Sequence, residues 1–119
     1  RKVYNDRSGK SLKSDPLQYA KKLQNFGVGE IFLNDVDKDG TMEGYDIGII
    51  KKISEAINIP IIPCGGAGNL TDIKSVFLQT NTTAVAAGSL FVYTGKFNAV
   101  LINYPSELQI EKIINSDEI

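Results

Sequence analysis

The chain of 119 residues is 42% hydrophobic and 23% charged, a composition typical of one modest globular domain. Its net charge of −1 excludes a broad basic surface for nucleic acid, and its single cysteine excludes an internal disulfide and suits a reducing cytoplasm. Because the chain has no histidine, it cannot form a histidine-based nucleophile triad, a histidine metal site or a histidine general acid–base. No apolar run approaches the roughly 18 residues of a membrane span, so no membrane partner is expected.

The first predicted elements are a loop, a helix and a strand. Residues 1–14 are polar and predict a mobile loop. Asp15 and Pro16 predict the start of a helix and Gly27 its end, with apolar positions at helical spacing: Leu17, Ala20, Leu23 and Phe26. Residues 31–33 are apolar without alternation, which predicts a parallel strand covered on both faces.

Two further helix and strand units follow. Asp46 predicts the cap of a second helix, whose apolar face comprises Ile49, Ile50, Ile53, Ala56 and Ile57. Residues 60–64 predict the next strand. Thr71 opens a third predicted helix that runs to Gln79, with inward positions at Ile73, Val76 and Phe77. Residues 83–87 predict a third strand.

The tail, residues 92–119, predicts a strand at 99–102 and a last helix from Pro105 that carries Leu108, Ile110, Ile113 and Ile114. The repeats across residues 15–91 alternate helix and strand, which predicts an α/β fold with a parallel sheet and right-handed crossovers. Three strands do not close a barrel, and a (β/α)8 barrel usually needs about 250 residues. We therefore expect residues 1–119 to form a single partial domain.

Several motifs resemble the cyclase subunit of imidazole glycerol phosphate synthase (HisF). In chain order they are Gly27–Ile31, Asp37–Thr41, Gly44–Asp46, Pro60–Ile62 with Gly65–Gly68, and Ala86–Phe91. Their order and spacing are similar to the last three strands of that (β/α)8 TIM barrel. The resemblance implies that the chain is the C-terminal half of such a barrel.

Other residues resemble a cyclase-like branch that is linked to acetamidino modification of surface-polysaccharide sugars. This resemblance lies in the tail, residues 91–105. Asn34 stands where the cyclase usually has Thr, Cys64 where it usually has Ser, and Gly88 replaces a common Ala. The departures imply a different ligand held by the same phosphate-binding backbone.

Glycines follow each predicted strand, at Gly40, at Gly65 and Gly66, and at Gly88. Glycine lets backbone N–H groups approach an anion closely, and we expect the helix that opens at Thr71 to add positive partial charge. The loops after strands seven and eight are the usual phosphate site of these barrels. The residues predicted to bind the substrate or its phosphate are Asp39, Gly40, Gly65, Gly66, Gly88 and Ser89. The alternative is that the glycines only make tight turns.

Three nearby side chains have competing interpretations. Asp39 matches a family aspartate near the bound substrate, although a short acid such as Asp39 or Asp37 also caps turns well. Asn34 and Cys64 are predicted to line the site, and Cys64 lacks the base that a nucleophile needs. Part of a calcium loop is present at Asp35, Asp37, Asp39, Gly40 and Asp46. Its twelfth position is not Glu and no long helix precedes it, so no metal is predicted.

The resemblance implies a lyase-type cyclase of histidine biosynthesis that uses ammonia from a glutaminase partner (HisH-like) on a phosphorylated ribulose substrate. The family's two catalytic aspartates lie on its first and fifth strands, which we expect upstream of Arg1. No catalytic residue and no cofactor is therefore assigned. The alternatives are sugar acetamidino modification and a non-catalytic phosphate-binding half-barrel. An open sheet edge and an uncovered inner face predict self-association.

Overall fold

The computed structural model describes residues 1–94, 99–100 and 102–115. The strands, in chain order, are β1 Tyr4–Asn5, β2 Lys10–Ser11, β3 Ile31–Asn34, β4 Ile61–Cys64, β5 Tyr93–Thr94 and β6 Ala99–Val100. The helices are α1 Pro16–Asn25, α2 Ile47–Ala56, α3 Leu70–Gln79, α4 Ser89–Val92 and α5 Glu107–Asn115. No helix among these described residues is long and apolar enough to cross a membrane.

The start of the chain is a short hairpin, so the prediction of a mobile loop over residues 1–14 was wrong. β1 and β2 pair antiparallel, with Tyr4 opposite Ser11. The Asn5 side chain accepts hydrogen bonds from the backbone N–H groups of Arg7 (3.0 Å) and Ser8 (3.4 Å). Gly9 closes the turn with a φ of 66°. A side chain bonded to its own turn lets polar residues form this hairpin.

Helix α1 confirms the predicted cap and stop. The Asp15 side chain accepts from the Gln18 N–H at 3.2 Å, and Pro16 occupies the first helical position. Gly27 follows the helix with a φ of 87°, a conformation that favours glycine. Phe26 continues the helical spacing of the apolar positions, but it is 75% exposed because it is the C-cap residue, beyond the last turn.

The parallel sheet contains β3 and β4, paired from Ile31 opposite Ile61 to Asn34 opposite Cys64. Ile31 and Ile61 face the helices and are buried. On the opposite face Phe32 is 59% exposed. The prediction that this strand is covered on both faces was therefore wrong, because nothing in the described part of the chain packs over Phe32.

The core lies between this sheet and helices α1, α2 and α3. Its buried residues include Ala20 from α1, Ile50 and Ile53 from α2, and Val76 from α3. Val76 and Ile53 have no exposed surface. Ala56 was predicted on this face but is exposed at the end of α2.

Residues 83–87 do not form the predicted third strand. This segment runs beside β4, where the Ala86 N–H donates to Pro63 O at 2.9 Å. One bond is too few to make a ladder. The sheet of the described residues therefore has two parallel strands, and the half-barrel remains a prediction.

The tail forms a second antiparallel pair, β5 with β6, in which Tyr93 lies opposite Val100. Helix α5 is present as predicted, and it packs against α3. Leu101, within the predicted strand 99–102, lies outside the described residues, as do the tail segments 95–98 and 116–119.

Candidate functional site

A small cavity of about 50 Å³ lies at the carboxyl end of the parallel sheet, where three loops meet. It is lined by Asp39, Gly40, Met42, Cys64, Gly65, Gly66, Ala67, Ala87, Gly88 and Ser89. All six residues predicted to bind substrate or phosphate therefore line one cavity, and so does Cys64. The topology explains this for the loops after β3 and β4, because the carboxyl ends of parallel strands meet at one edge of a sheet. Gly88 and Ser89 follow a segment that is bonded to β4 without forming a strand.

The loop after β3 packs directly on the loop after β4. The Gly44 N–H donates to Gly66 O at 2.7 Å. A Cβ atom at Gly66 would stand 2.1 Å from Gly44 O, and one at Gly65 would stand 2.7 Å from Asp35 O. The φ angles of Gly65 and Gly66 are 105° and 113°. Loop packing alone therefore requires glycine at both positions.

Gly40 and Gly88 stand in open space, with no neighbouring atom within 4 Å of a Cβ built at either. Gly40 has a φ of 81°, which favours glycine on conformational grounds. Gly88 has a φ of −126°, outside the left-handed region that favours glycine. Neither a left-handed backbone nor close packing explains glycine at position 88.

Seven residues that line the cavity have a backbone N–H group without an acceptor in the described part of the chain: Gly40, Met42, Gly66, Ala67, Ala87, Gly88 and Ser89. Gly66 is a buried residue. Buried backbone N–H groups are nearly always paired, so an unpaired one at a cavity wall favours a bound acceptor. An anionic oxygen is an acceptor that several neighbouring backbone N–H groups suit well.

The start of α3 carries a capping box, and the positive partial charge expected there stays a prediction. The Asn69 side chain accepts from the Asp72 N–H at 2.9 Å. The Asp72 carboxylate accepts from the N–H groups of Gly68 (2.8 Å) and Asn69 (3.3 Å). This capping box satisfies the Asp72 N–H of the first turn and places a carboxylate at the helix start.

Asp39 supplies the carboxylate of the cavity wall, and Cys64 supplies its thiol. Burial, and next the negative charge of Asp39, raise the pKa of the Cys64 thiol, while the Gly65 N–H opposes the shift. A thiol with a raised pKa stays protonated at neutral pH and is a poor nucleophile. Cys64 is therefore suited to shaping the cavity.

Asn34 lies beside this cavity and not in its wall. It pairs opposite Cys64 at the end of the sheet and lines a larger cavity of about 140 Å³. Cys64 and Gly65 line both cavities, so the two adjoin. Among the described residues, no cluster of acidic or cysteine side chains is arranged to hold a metal ion.

The larger cavity contains an ion cluster that the sequence did not predict. The Arg1 guanidinium contacts Asp35, lies 3.0 Å from Asp37 and lies 2.8 Å from Asp46. Its hydrogen bond to Asp46 is the main cause that lowers the pKa of that carboxyl. Asp35 and Asp37 therefore pair with Arg1. Opposite charge was the one feature of the sequence that could have indicated this pairing.

Tyr45 was also missed as a site residue. Its hydroxyl donates to Ala86 O at 2.7 Å, across 41 positions of sequence. Burial raises the pKa of Tyr45 well above its ordinary value, with smaller contributions from Cys64 and Asp72. The hydroxyl therefore remains a donor at neutral pH. No local pattern could have predicted a partner this distant.

Comparison with known proteins identifies the family of this chain. The family model described as histidine biosynthesis protein matches residues 1–98. The chain belongs to this family. The family's fold is the (β/α)8 TIM barrel, and the described residues of this chain share the family's alternation of helices with parallel strands.

Three relatives place the chain near HisF. It is 46% identical over 103 residues to a Pseudomonas aeruginosa protein with the provisional name imidazole glycerol phosphate synthase subunit hisF2. It is 55% identical over 86 residues to a provisionally named HisF subunit of Leptospira borgpetersenii. It is 36% identical over 105 residues to imidazole glycerol phosphate synthase subunit HisF of Nitrosopumilus maritimus.

These alignments cover 87%, 72% and 88% of this chain but 41%, 34% and 36% of the three relatives. The chain thus spans little more than a third of the length of the HisF relatives that it matches. The resemblance to the HisF family, as a fragment of it, is confirmed.

Proposed function

We propose that this chain is the C-terminal half of a HisF-like barrel and that it supplies a phosphate-binding site to a cyclase of histidine biosynthesis. The whole protein would act on a phosphorylated ribulose substrate with ammonia from a glutaminase subunit. The names of the relatives support the activity. The observation that carries the phosphate site is the cavity wall where Gly66, Gly88 and Ser89 keep unpaired N–H groups among the described residues.

Asp39 has a separate role in this proposal. Its carboxylate repels an anion, so it does not bind the phosphate itself. A carboxylate in the wall accepts hydrogen bonds from hydroxyl groups. We assign Asp39 to a substrate hydroxyl next to the phosphate, and the amides of Gly66, Gly88 and Ser89 to the phosphate oxygens.

The test is a phosphate titration followed by NMR of the backbone amides. We expect the Gly66, Gly88 and Ser89 signals to move together and saturate. Gly88→Asp places a carboxylate at the cavity without a clash, because nothing lies within 4 Å of a Cβ there. One like charge near the anion is expected to weaken phosphate binding at least about tenfold, given about 4 kcal/mol for two charges 4 Å apart near a surface.

The matched control is Gly29→Asp, since a Cβ at Gly29 also meets nothing within 4 Å and its φ is not positive. Gly29 lies away from the cavity wall. Equal phosphate affinity in the two variants would refute the phosphate site at this cavity. Phosphate-induced changes of amide signals scattered over the surface would refute it too.

A second candidate, modification of an acetamidino sugar, is favoured by the sheet face next to the cavity. Asn34 and Cys64, which replace the usual Thr and Ser of the cyclase, lie opposite each other there. A substrate whose phosphate occupies the cavity would lay its sugar across these two side chains. Competition between a phosphorylated ribulose and a phosphorylated amino sugar for the same amide shifts separates the candidates.

A third candidate is a non-catalytic phosphate-binding module that associates with a second copy. Asp39 is the one carboxylate that lines the cavity in the described part of the chain. General acid–base catalysis by a carboxylate pair needs a second one. Phosphate binding without turnover by a stable dimer would favour this module over the cyclase.

A further inference from the structure

Two loops of the candidate phosphate site are linked through neighbouring residues, Gly44 and Tyr45. The Gly44 N–H donates to Gly66 O at 2.7 Å. The Tyr45 hydroxyl donates to Ala86 O at 2.7 Å. Gly66 and Gly88, two of the proposed phosphate ligands, thus lie on segments that are bonded to the same short stretch of chain.

The segment that carries Gly88 packs Val85, Ala87 and Leu90 against the core but makes few hydrogen bonds. Residues 83–87 form no strand, and Ala86 makes one backbone hydrogen bond to β4, from its N–H to Pro63 O at 2.9 Å. The Tyr45 hydroxyl donates a second hydrogen bond to Ala86, at its carbonyl oxygen. Ala86 is therefore fixed on both sides, and Gly88 and Ser89 follow two and three positions later.

Tyr45 is well placed to fix this segment because it is itself held. It is 8% exposed and belongs to the core cluster. The next residue, Asp46, caps helix α2 by accepting from the Ile49 N–H at 3.3 Å. A buried phenol beside a helix start moves little, so its hydroxyl gives Ala86 a fixed reference point.

We propose that Tyr45 is a positioning residue of the phosphate site. Its hydrogen bond to Ala86 sets where the Gly88 and Ser89 amides stand relative to Gly66. This inference rests on the proposed phosphate site. It adds that the site's geometry depends on a side chain that does not line the small cavity.

The test compares Tyr45→Phe with Tyr19→Phe, both titrated with inorganic phosphate at a temperature where each variant is fully folded. Tyr19 is half-buried on α1 and is the matched control. Loss of one hydrogen bond that orders the ligating amides is expected to weaken phosphate binding about fivefold in Tyr45→Phe. Tyr19→Phe is expected to bind like the unchanged chain.

Amide hydrogen exchange supplies a readout that general destabilisation would not reproduce. In Tyr45→Phe, exchange should rise at Ala86, whose N–H donates to Pro63 O, and stay unchanged across β3 and β4. Unaltered affinity and exchange would overturn the inference, and so would a uniform rise over the whole core. In the unchanged chain, a slowly exchanging Tyr45 hydroxyl proton should be visible by NMR, and its absence would also overturn it.

The outcomes separate the two proposals. If the unchanged chain does not bind phosphate, the proposed site fails, and hydrogen exchange alone decides whether Tyr45 orders this segment. If the unchanged chain binds phosphate and Tyr45→Phe binds it equally well, the site stands and the positioning role fails.

Discussion

The close approach between Gly66 and Gly44 gives a prediction with a calculable size. Gly66→Ala puts a Cβ 2.1 Å from Gly44 O and 2.8 Å from Gly44 C, at a residue whose φ is 113°. The strained backbone costs about 2 kcal/mol, and the Gly44–Gly66 hydrogen bond, when displaced, costs about 1 kcal/mol more. For a domain of this size, about 3 kcal/mol lowers Tm by about 12 °C.

Thermal unfolding followed by circular dichroism measures this loss, and Gly29→Ala is the control. A Cβ at Gly29 meets nothing within 4 Å, so Gly29→Ala should stay within about 0.5 kcal/mol of the unchanged chain. If Gly66→Ala melted within 3 °C or so of that control, the two loops would not pack as described. The explanation of Gly66 by loop packing would then be wrong.

Two more predictions concern charge and exposed surface. Arg1→Ala should cost about 1 kcal/mol at pH 7 by urea unfolding, and Arg7→Ala much less, because Arg1 holds three carboxylates. Arg1 lowers the pKa of Asp46 in the folded state, so the stability gained from their contact is present above the ordinary carboxyl pKa of 3.8 and is lost as the pH falls through the lowered pKa. A difference in unfolding free energy between Arg1→Ala and the unchanged chain that persisted in acid would contradict the ion cluster. Phe32 is 59% exposed on the open sheet face, so Phe32→Glu should reduce self-association in sedimentation experiments. Phe26→Glu, at a 75% exposed helix end, should not, and equal effects of the two would place the contact elsewhere.

The sequence was most informative where structure is decided within a few residues. Asp15 and Pro16 start α1, and Gly27 follows its end in a left-handed conformation. The errors lie where an element depends on distant neighbours. Residues 83–87 have the composition of a strand, but a strand exists only through its ladder, and this segment makes one bond to β4. Phe32 lies in an apolar run, and such runs are usually buried, so the sequence predicted burial. In the structure Phe32 is exposed because nothing in the described part of the chain covers it.

In the candidate site too, the sequence predicted some features and missed those that depend on distant contacts. The rule that loops after parallel strands share one edge predicted that Asp39 and Gly66 meet at one cavity. Gly88 lines the same cavity after a segment that forms no strand. The contacts that hold the loops were not predictable from local patterns. Tyr45 reaches Ala86 across 41 positions and Arg1 reaches Asp46 across 45.

The glycines that line the cavity differ in how much the fold alone explains them, and this decides where a ligand has to be invoked. Gly65 and Gly66 are required by positive φ and by neighbouring carbonyl groups, so their presence would be expected without any ligand. Gly88 has an ordinary φ and open space around its Cβ position. A Cβ there would meet no atom within 4 Å, and a side chain would occupy the approach to the cavity. Gly88 is therefore the position at which loop packing and anion binding make different predictions.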